Sequence, residues 1–329
     1  MVPPETMIAA VIRATGGPER IEIARLPVPT PGPRQVLVRF EASEVNHVDA
    51  LIRAGGYRTA MAIPFVIGRD LVGTVVDRGA QVDRLAVGDR VWCNSLGHDG
   101  RAGSYAELVA IDVERVYPLP DGVAPEDAAI VLHGAGTAWI GLVREAGLRP
   151  GETVVVGGAA GAVGSAAVQL AAGMGARVIA VARPRDADWC RESGAEVVVD
   201  ASSAERVERI RAAAPDGVDV WWETNGRLGL ETCLPLLRRG GRVLVTADPG
   251  GPLALPVGAL YRDDARLLGF VISNASVDDL ASAALAINRL LAAGRLHGRR
   301  GASYRLADAA AAHAALESGE VRGRILITP

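Results

Sequence analysis

From about residue 150 onward, short all-apolar runs alternate with small-residue or amphipathic stretches. "TVVVGG" (153–158), "RVIAVA" (177–182), "AEVVVD" (195–200), "VDVWWET" (218–224) and "GRVLVTA" (241–247) are dominated by apolar residues, so each predicts a strand buried on both faces. The stretches between them, 162–173, 186–193, 203–214 and 230–239, predict helices. Strands and helices in alternation imply a parallel sheet covered on both sides. The first 125 residues read differently. "QVLVRFEAS" (35–43), "LVGTVVDRG" (71–79) and "DRVWC" (89–93) are β-branched runs bounded by Gly, Pro and Asp, which predict a β-rich, barrel-like domain. The tail offers a strand, "ARLLGFVIS" (265–273), then a long helix with Ser276 as N-cap and Asp278 and Asp279 in its first turn. A helix near 307–318, stopped by Gly319, and the strand "GRILITP" complete it. This tail is expected to pack on the first domain.

A chain of 329 residues suits two domains, and 49% hydrophobic with 22% charged residues suits a soluble globular protein. A net charge of −3 offers no basic field to nucleic acid or an anionic membrane, so neither is expected as a partner. No apolar run approaches the ~20 residues of a membrane span. The opening "MVPPETMIAAVIRATGGPER" lacks a basic start and is broken by Arg13, unlike a signal peptide. Cys93, Cys190 and Cys233 lie far apart, which gives no disulfide framework and fits a cytoplasmic location. The chain has no lysine, so Schiff-base, P-loop and Tyr-Lys chemistry are all excluded.

The candidate chemistry begins at Gly158, Gly161 and Gly164, spaced G-x-x-G-x-x-G between a strong strand and a small-residue helix. Glycines allow the tight turn and a close approach of a pyrophosphate, while the helix start offers free N–H groups and a positive dipole end. Ala159, Ala162 and Val163 complete this cofactor-binding turn, and Ala166, Ala167 and Ala171 let the helix lie close to the sheet. An acidic residue at the end of the second strand would favour NAD. Ala182 stands there, followed by Arg183 and Arg185, which suit a 2′-phosphate and hence NADP(H) as cofactor.

"PGPRQVLVRFEASEVNHVDALIRAGGY", "PFVIGRDLVGTVVDRGAQVDRLAVGDRVW", "GSYAELVAI", "LRPGETVVVGGAAGAVGSAAVQLA" and "LPLLRRGGRVLVTA" occur in one order along nearly the whole chain. In this the protein resembles the medium-chain dehydrogenase/reductase superfamily, in its zinc-free quinone oxidoreductase (zeta-crystallin-like) branch. The resemblance implies an α/β fold: a Rossmann doubly wound parallel-sheet domain, 129–271, inside a GroES-like β-barrel catalytic domain built from 1–128 and 272–329. It also implies an active site in the interdomain cleft, and a dimer or tetramer, of which a homodimer is expected. Zinc alcohol dehydrogenases carry a Cys near Asn46–Asp49 and Gly-His-Glu where this chain reads Gly68-Arg69-Asp70, so no metal is expected. His47 is expected to pack, and the cluster of Cys93, His98 and Asp99 is not read as a metal site.

By the same resemblance, Asn46, Asp49 and Tyr57 would line the nicotinamide and substrate pocket as catalytic candidates, with Tyr57 a proton donor to an enolate. From the residues alone, Asn46 and Asp49 read equally well as a turn or helix cap. Thr137, Asn225, Phe270, Val271 and Arg324 fall where the family places cofactor contacts, Arg324 replacing a frequent Lys. Trp221-Trp222 departs from the family's small apolar residues, and one ring is expected in the core. The function implied is zinc-independent hydride transfer from NADPH to a quinone. The alternatives are reduction of an activated C=C in an enone, alkenal or enoyl substrate, or NADPH binding without catalysis.

Overall fold

The computed structural model describes residues 4–227, 229–248 and 250–329. They form two compact units, Met1–His133 with Ser276–Pro329, and Gly134–Ala275. The first unit runs a few residues past 128 because helix α2 (Pro125–Ala129) buries Ala128 and Ala129, and the chain stays with this unit to His133. At the other crossing, Val271–Ala275 stays with the second unit as a single 3-10 turn, Ile272–Asn274.

The first unit contains two sheets. β1 (Thr6–Ile12) pairs with β2 (Glu22–Pro27) and with β4 (Phe65–Val66). β3 (Gln35–Glu44), β5 (Leu71–Arg78), β6 (Arg90–Cys93) and β8 (Tyr117–Pro118) form one run of an antiparallel sheet, with β7 (Leu108–Asp112) also paired to β3. Residues of these strands such as Leu37, Leu71, Val75 and Val91 are fully enclosed in one core. Each such side chain contributes about 1.5–3 kcal/mol of transfer free energy. Helix α1 (His47–Ala54) follows β3 directly and ends at Gly55, whose φ of 82° supplies the left-handed stop.

In the second unit all six strands are parallel: β9 (Thr153–Gly157), β10 (Arg177–Ala182), β11 (Val197–Asp200), β12 (Val218–Glu223), β13 (Leu237–Val245) and β14 (Arg266–Gly269). Their order is β11-β10-β9-β12-β13-β14. The chain winds outward from β9 to β11, then returns to the other side of β9, so a switch point lies between β9 and β12. Val154, Val155 and Val156 are all fully buried, as a strand covered on both faces requires. The helices are α3 (Leu132–Trp139), which starts in the first unit, α4 (Ala162–Gly173), α5 (Ala187–Glu192), α6 (Arg206–Ala213), α7 (Leu230–Cys233) and α8 (Val257–Arg262).

Two expectations are corrected here. The helix expected over 230–239 ends at Cys233; Pro235 lies in a 3-10 turn and Leu237–Arg239 open β13. Proline removes the N–H a helix interior needs, and the pull of the parallel register, Val218 opposite Leu237, decides the rest. The strand expected over 265–273 shortens to β14, because its partner β13 ends at Val245, opposite Gly269, and the Phe270 N–H takes the last carbonyl of that ladder.

The tail returns to the first unit. Helix α9 (Val277–Ala292) is capped by Ser276, which accepts from Asp279 N–H at 3.1 Å. Helix α10 (Ala309–Ser318) ends at left-handed Gly319. β15 (Arg300–Arg305) and β16 (Arg324–Thr328) pair, and β16 joins β3, which ties the chain's end into the first sheet. No helix among the described residues is long and apolar enough to cross a membrane. All three cysteines are free and buried.

Candidate active site

In the second unit the turn after β9 is built by steric exclusion. Gly158 takes φ 67°, and a Cβ on Gly164 would overlap the Gly158 carbonyl, so the first turn of α4 can press onto the strand end only as glycine. Gly161 N–H donates to the Gly158 carbonyl at 2.9 Å and Ala159 N–H to the Val181 carbonyl at 3.2 Å. Ala162 and Val163 are the first residues of α4, whose leading N–H groups are left for a ligand. A Cβ on Gly158 would meet Thr224 and Asn225, which places Asn225 beside the turn. A Cβ on Gly134 would collide with the Ala162 carbonyl, so α3 touches the start of α4; Thr137, buried, lies one turn further along that face. α3 then widens into a π-helical stretch, Ile140–Glu145, whose Gly141 makes room for Trp222 and Phe270. Those two rings lie 5.8 Å apart, and Val271 follows in extended backbone. Trp221 and Trp222 are both buried, Trp222 completely. These features make a pre-formed cradle that fits a dinucleotide phosphate. Arg183 and Arg185 stand exposed past β10, with Arg185 3.9 Å from Asp186.

In the first unit the structure brings Asn46 and Asp49 together with residues that sequence reasoning did not assign. Asp49 accepts from the Asn46 backbone N–H at 2.8 Å and so caps α1. The Asn46 amide donates to Asp70 at 2.8 Å. Glu44, the last residue of β3, lies 2.6 Å from the Arg324 guanidinium at the start of β16. Arg324 is thus held by Glu44 within the first unit. Arg69 is buried beside Asp49, Asp70 and Tyr57. His133 approaches Asp70 only to 3.9 Å.

Burial dominates the electrostatics. It pushes Glu44 and Asp49 up to about 7, against the pull of Arg324 on the first and of the Asn46 N–H and Arg69 on the second. Asp70 rises well above the carboxylate range, through burial and then the charges of Glu44 and Asp49. Burial lowers Arg69, while Asp49, Tyr57 and Asp70 oppose the shift. His133 falls to about 3 by burial and by the charges of Arg69 and Arg324, so it faces Asp70 as a neutral ring. Three buried carboxyls confront two guanidiniums, an arrangement that holds a proton near neutrality. Burial and then Arg324 lower His47. Half-buried Tyr57 lies edge-on to His98 with ring centroids 5.7 Å apart.

Two family models match: an alcohol dehydrogenase GroES-like domain over residues 32–121 and a zinc-binding dehydrogenase over 162–287. The chain is 31% identical to the quinone oxidoreductase of Mus musculus, covering 91% of this chain and 90% of that one. Against the quinone oxidoreductase of Rattus norvegicus it is 31% identical over 95% of both. Among solved structures, an NAD-dependent alcohol dehydrogenase superposes with a TM-score of 0.88 at 31% identity, covering 98% of this chain and 100% of that one. A mycobacterial protein complexed with NADPH gives 0.83 at 28% identity, with the same coverage. Fold, glycine turn and relatives together define a nicotinamide-dependent oxidoreductase with a GroES-like and a Rossmann-like unit. The chain belongs to the medium-chain dehydrogenase/reductase superfamily, in its quinone oxidoreductase branch. The zinc in the second model's description does not suit these residues. Asn46 and Arg69 are not zinc ligands, and Arg69 already places a buried cation among the carboxyls of this site.

Proposed function

We propose that the protein is an NADPH-dependent quinone oxidoreductase that works without zinc, in the cytoplasm, as a homodimer. The observation that carries the reading is Arg69, buried and in the field of Asp49 and Asp70, where the family's zinc enzymes place a ligand. A site without a Lewis acid suits an acceptor that is already electron-poor, such as a quinone. The bound nicotinamide supplies a hydride.

The turn Gly158–Gly164 holds the pyrophosphate, and Thr137, Asn225, Phe270 and Val271 position the nicotinamide half. Asn46 and Asp49 orient the acceptor or the nicotinamide. The carboxyls of Asp49 and Asp70 keep a proton that the reduced acceptor requires, and the Tyr57 hydroxyl passes a proton to the acceptor oxygen. The relatives' names support the acceptor class. For the dimer, the support is the free edge of β14, flanked by exposed Leu253, Leu255, Val257, Tyr261 and Leu267.

The test is NADPH oxidation, with NADH in parallel, offering a 1,4-quinone in one reaction and a 2-alkenal in another. Quinone turnover with NADPH preferred is expected. Turnover of the alkenal alone would transfer the reading to C=C reduction, and cofactor binding without turnover of either would leave a binding protein.

A further inference from the structure

The second unit holds a cavity of about 250 Å³ at the carboxyl ends of its central strands, lined by Val181, Trp221, Glu223 and two arginines, Arg206 and Arg227. Val181 and Glu223 are both in register with Gly157, the last residue of β9, one from each side. A Cβ on Gly157 would overlap the Glu223 carboxylate, so this carboxylate lies directly over the strand that feeds the glycine turn. The cavity therefore sits at the switch point, where open parallel sheets take their ligands. Arg206 is tied to the end of β10. Its guanidinium donates to the Ala201 carbonyl at 3.0 Å, and Ala201 N–H donates to the carbonyl of Ala182 at 2.8 Å. Ala182 is the strand-end position that reads the adenosine ribose in such folds. Neither Arg183 nor Arg185 lines the cavity.

We propose that this cavity reads the 2′ position of the cofactor's adenosine ribose, Arg206 and Arg227 holding a 2′-phosphate and Glu223 setting the preference between phosphate and hydroxyl. The inference rests on the reading of the second unit as an NADP(H) site, and it moves phosphate recognition from the exposed Arg183 and Arg185 to the cavity pair. Two guanidiniums match a phosphate by geometry as well as charge. An ionised Glu223 opposes a phosphate and accepts from a ribose hydroxyl; a protonated Glu223 leaves both arginines to the anion. Its Oε1 is buried with no hydrogen-bond partner, an acceptor available to such a hydroxyl. The groups facing it are Arg206 from α6, Arg227 and the Asn225 N–H from the loop after β12, and Glu231 and the Cys233 thiol from α7. Burial raises the carboxyl to about 7, with Arg206 and Arg227 pulling the other way. The preference for a 2′-phosphate is therefore sensitive to Glu223 in the neutral range.

Calorimetric titration of the whole protein with 2′,5′-ADP and with 5′-AMP tests this without turnover. Arg206→Gln is expected to weaken 2′,5′-ADP at least tenfold and 5′-AMP less than threefold, and Arg227→Gln to act in the same direction. Glu223→Gln is expected to strengthen 2′,5′-ADP at least threefold relative to the unaltered protein at about pH 8 and to change it little at about pH 6. If the double variant Arg183→Gln/Arg185→Gln carries the loss and Arg206→Gln binds normally, the assignment is overturned. NADPH and NADH titrated against the unaltered protein separate the two levels. Binding of both with unaffected cavity variants defeats only this inference, whereas binding of neither defeats the parent reading as well.

Discussion

Glu44 and Arg324, near opposite ends of the chain, meet 2.6 Å apart where β3 and β16 join, with Glu44 wholly enclosed. Removing one partner of an enclosed pair leaves the other charge without compensation, which costs more than losing the pair together. Glu44→Ala is expected to lower unfolding free energy by about 3 kcal/mol. The double change Glu44→Leu/Arg324→Leu is expected to cost less than the single one. Urea midpoints of the three proteins decide the matter; equal losses in single and double variants would show that the pair is not coupled.

Asp49 gives a pH dependence with a definite sign. Its folded-state value, about 7, lies above the ordinary carboxylate value, so the native state holds the proton more tightly than the unfolded chain. That contribution is complete below about pH 4 and is lost as pH rises through 7. His133 and His313, both lowered to about 3, work the other way: they stabilise above the imidazole range and lose this as pH falls. Asp49→Asn removes only the first effect while keeping an oxygen to cap α1. Relative to the unaltered protein, the variant is expected to gain at least ~1.4 kcal/mol between about pH 5 and about pH 8. A flat difference across that range would show that Asp49 does not titrate there.

The glycine turn should fail in a graded way. Gly164→Ala places a methyl against the Gly158 carbonyl, so α4 must shift from the strand end. An overpacked contact of this kind costs about 1–3 kcal/mol. NADPH affinity, followed by quenching of tryptophan fluorescence, is expected to fall at least tenfold in protein that remains folded by circular dichroism. Unchanged affinity would mean that the turn does not carry the pyrophosphate.

The sheet of the second unit was legible because β9, β10 and the second half of β13 are apolar runs buried on both faces, and β12 is broken only by Asp219. Leu237–Arg239 misled because their amphipathic spacing continues a helix, while the sheet's register, which is non-local, claims them as strand. In the first unit Asn46 and Asp49 were singled out, but Glu44 and His133 were not. Their partners come from distant segments, and no spacing rule links them. One signal was available: Arg69-Asp70 interrupts an otherwise apolar run from Pro64 to Gly73, and an ionic pair inside such a run must find buried partners. Arg206 carried no comparable mark, since it opens an ordinary charged helix and only the cavity distinguishes it.

The edge strand β14 should decide the oligomeric state. Among the described residues it has one neighbour, β13, so its other side presents backbone groups that no strand pairs, and Leu267 upon it is 40% exposed. A lone edge of this kind is normally blunted by charge or covered. Here Tyr261 and Val257, from α8, add apolar surface at 66% and 58% exposure, so covering by a second copy is the expected solution. Leu267→Lys puts a charge into that contact and leaves the enclosed core untouched. The unaltered protein is expected to run as a dimer in light scattering and the variant as a monomer with the same circular dichroism. A dimer that survives the lysine would move the contact to another face, and a monomeric unaltered protein would remove the dimer from the reading altogether.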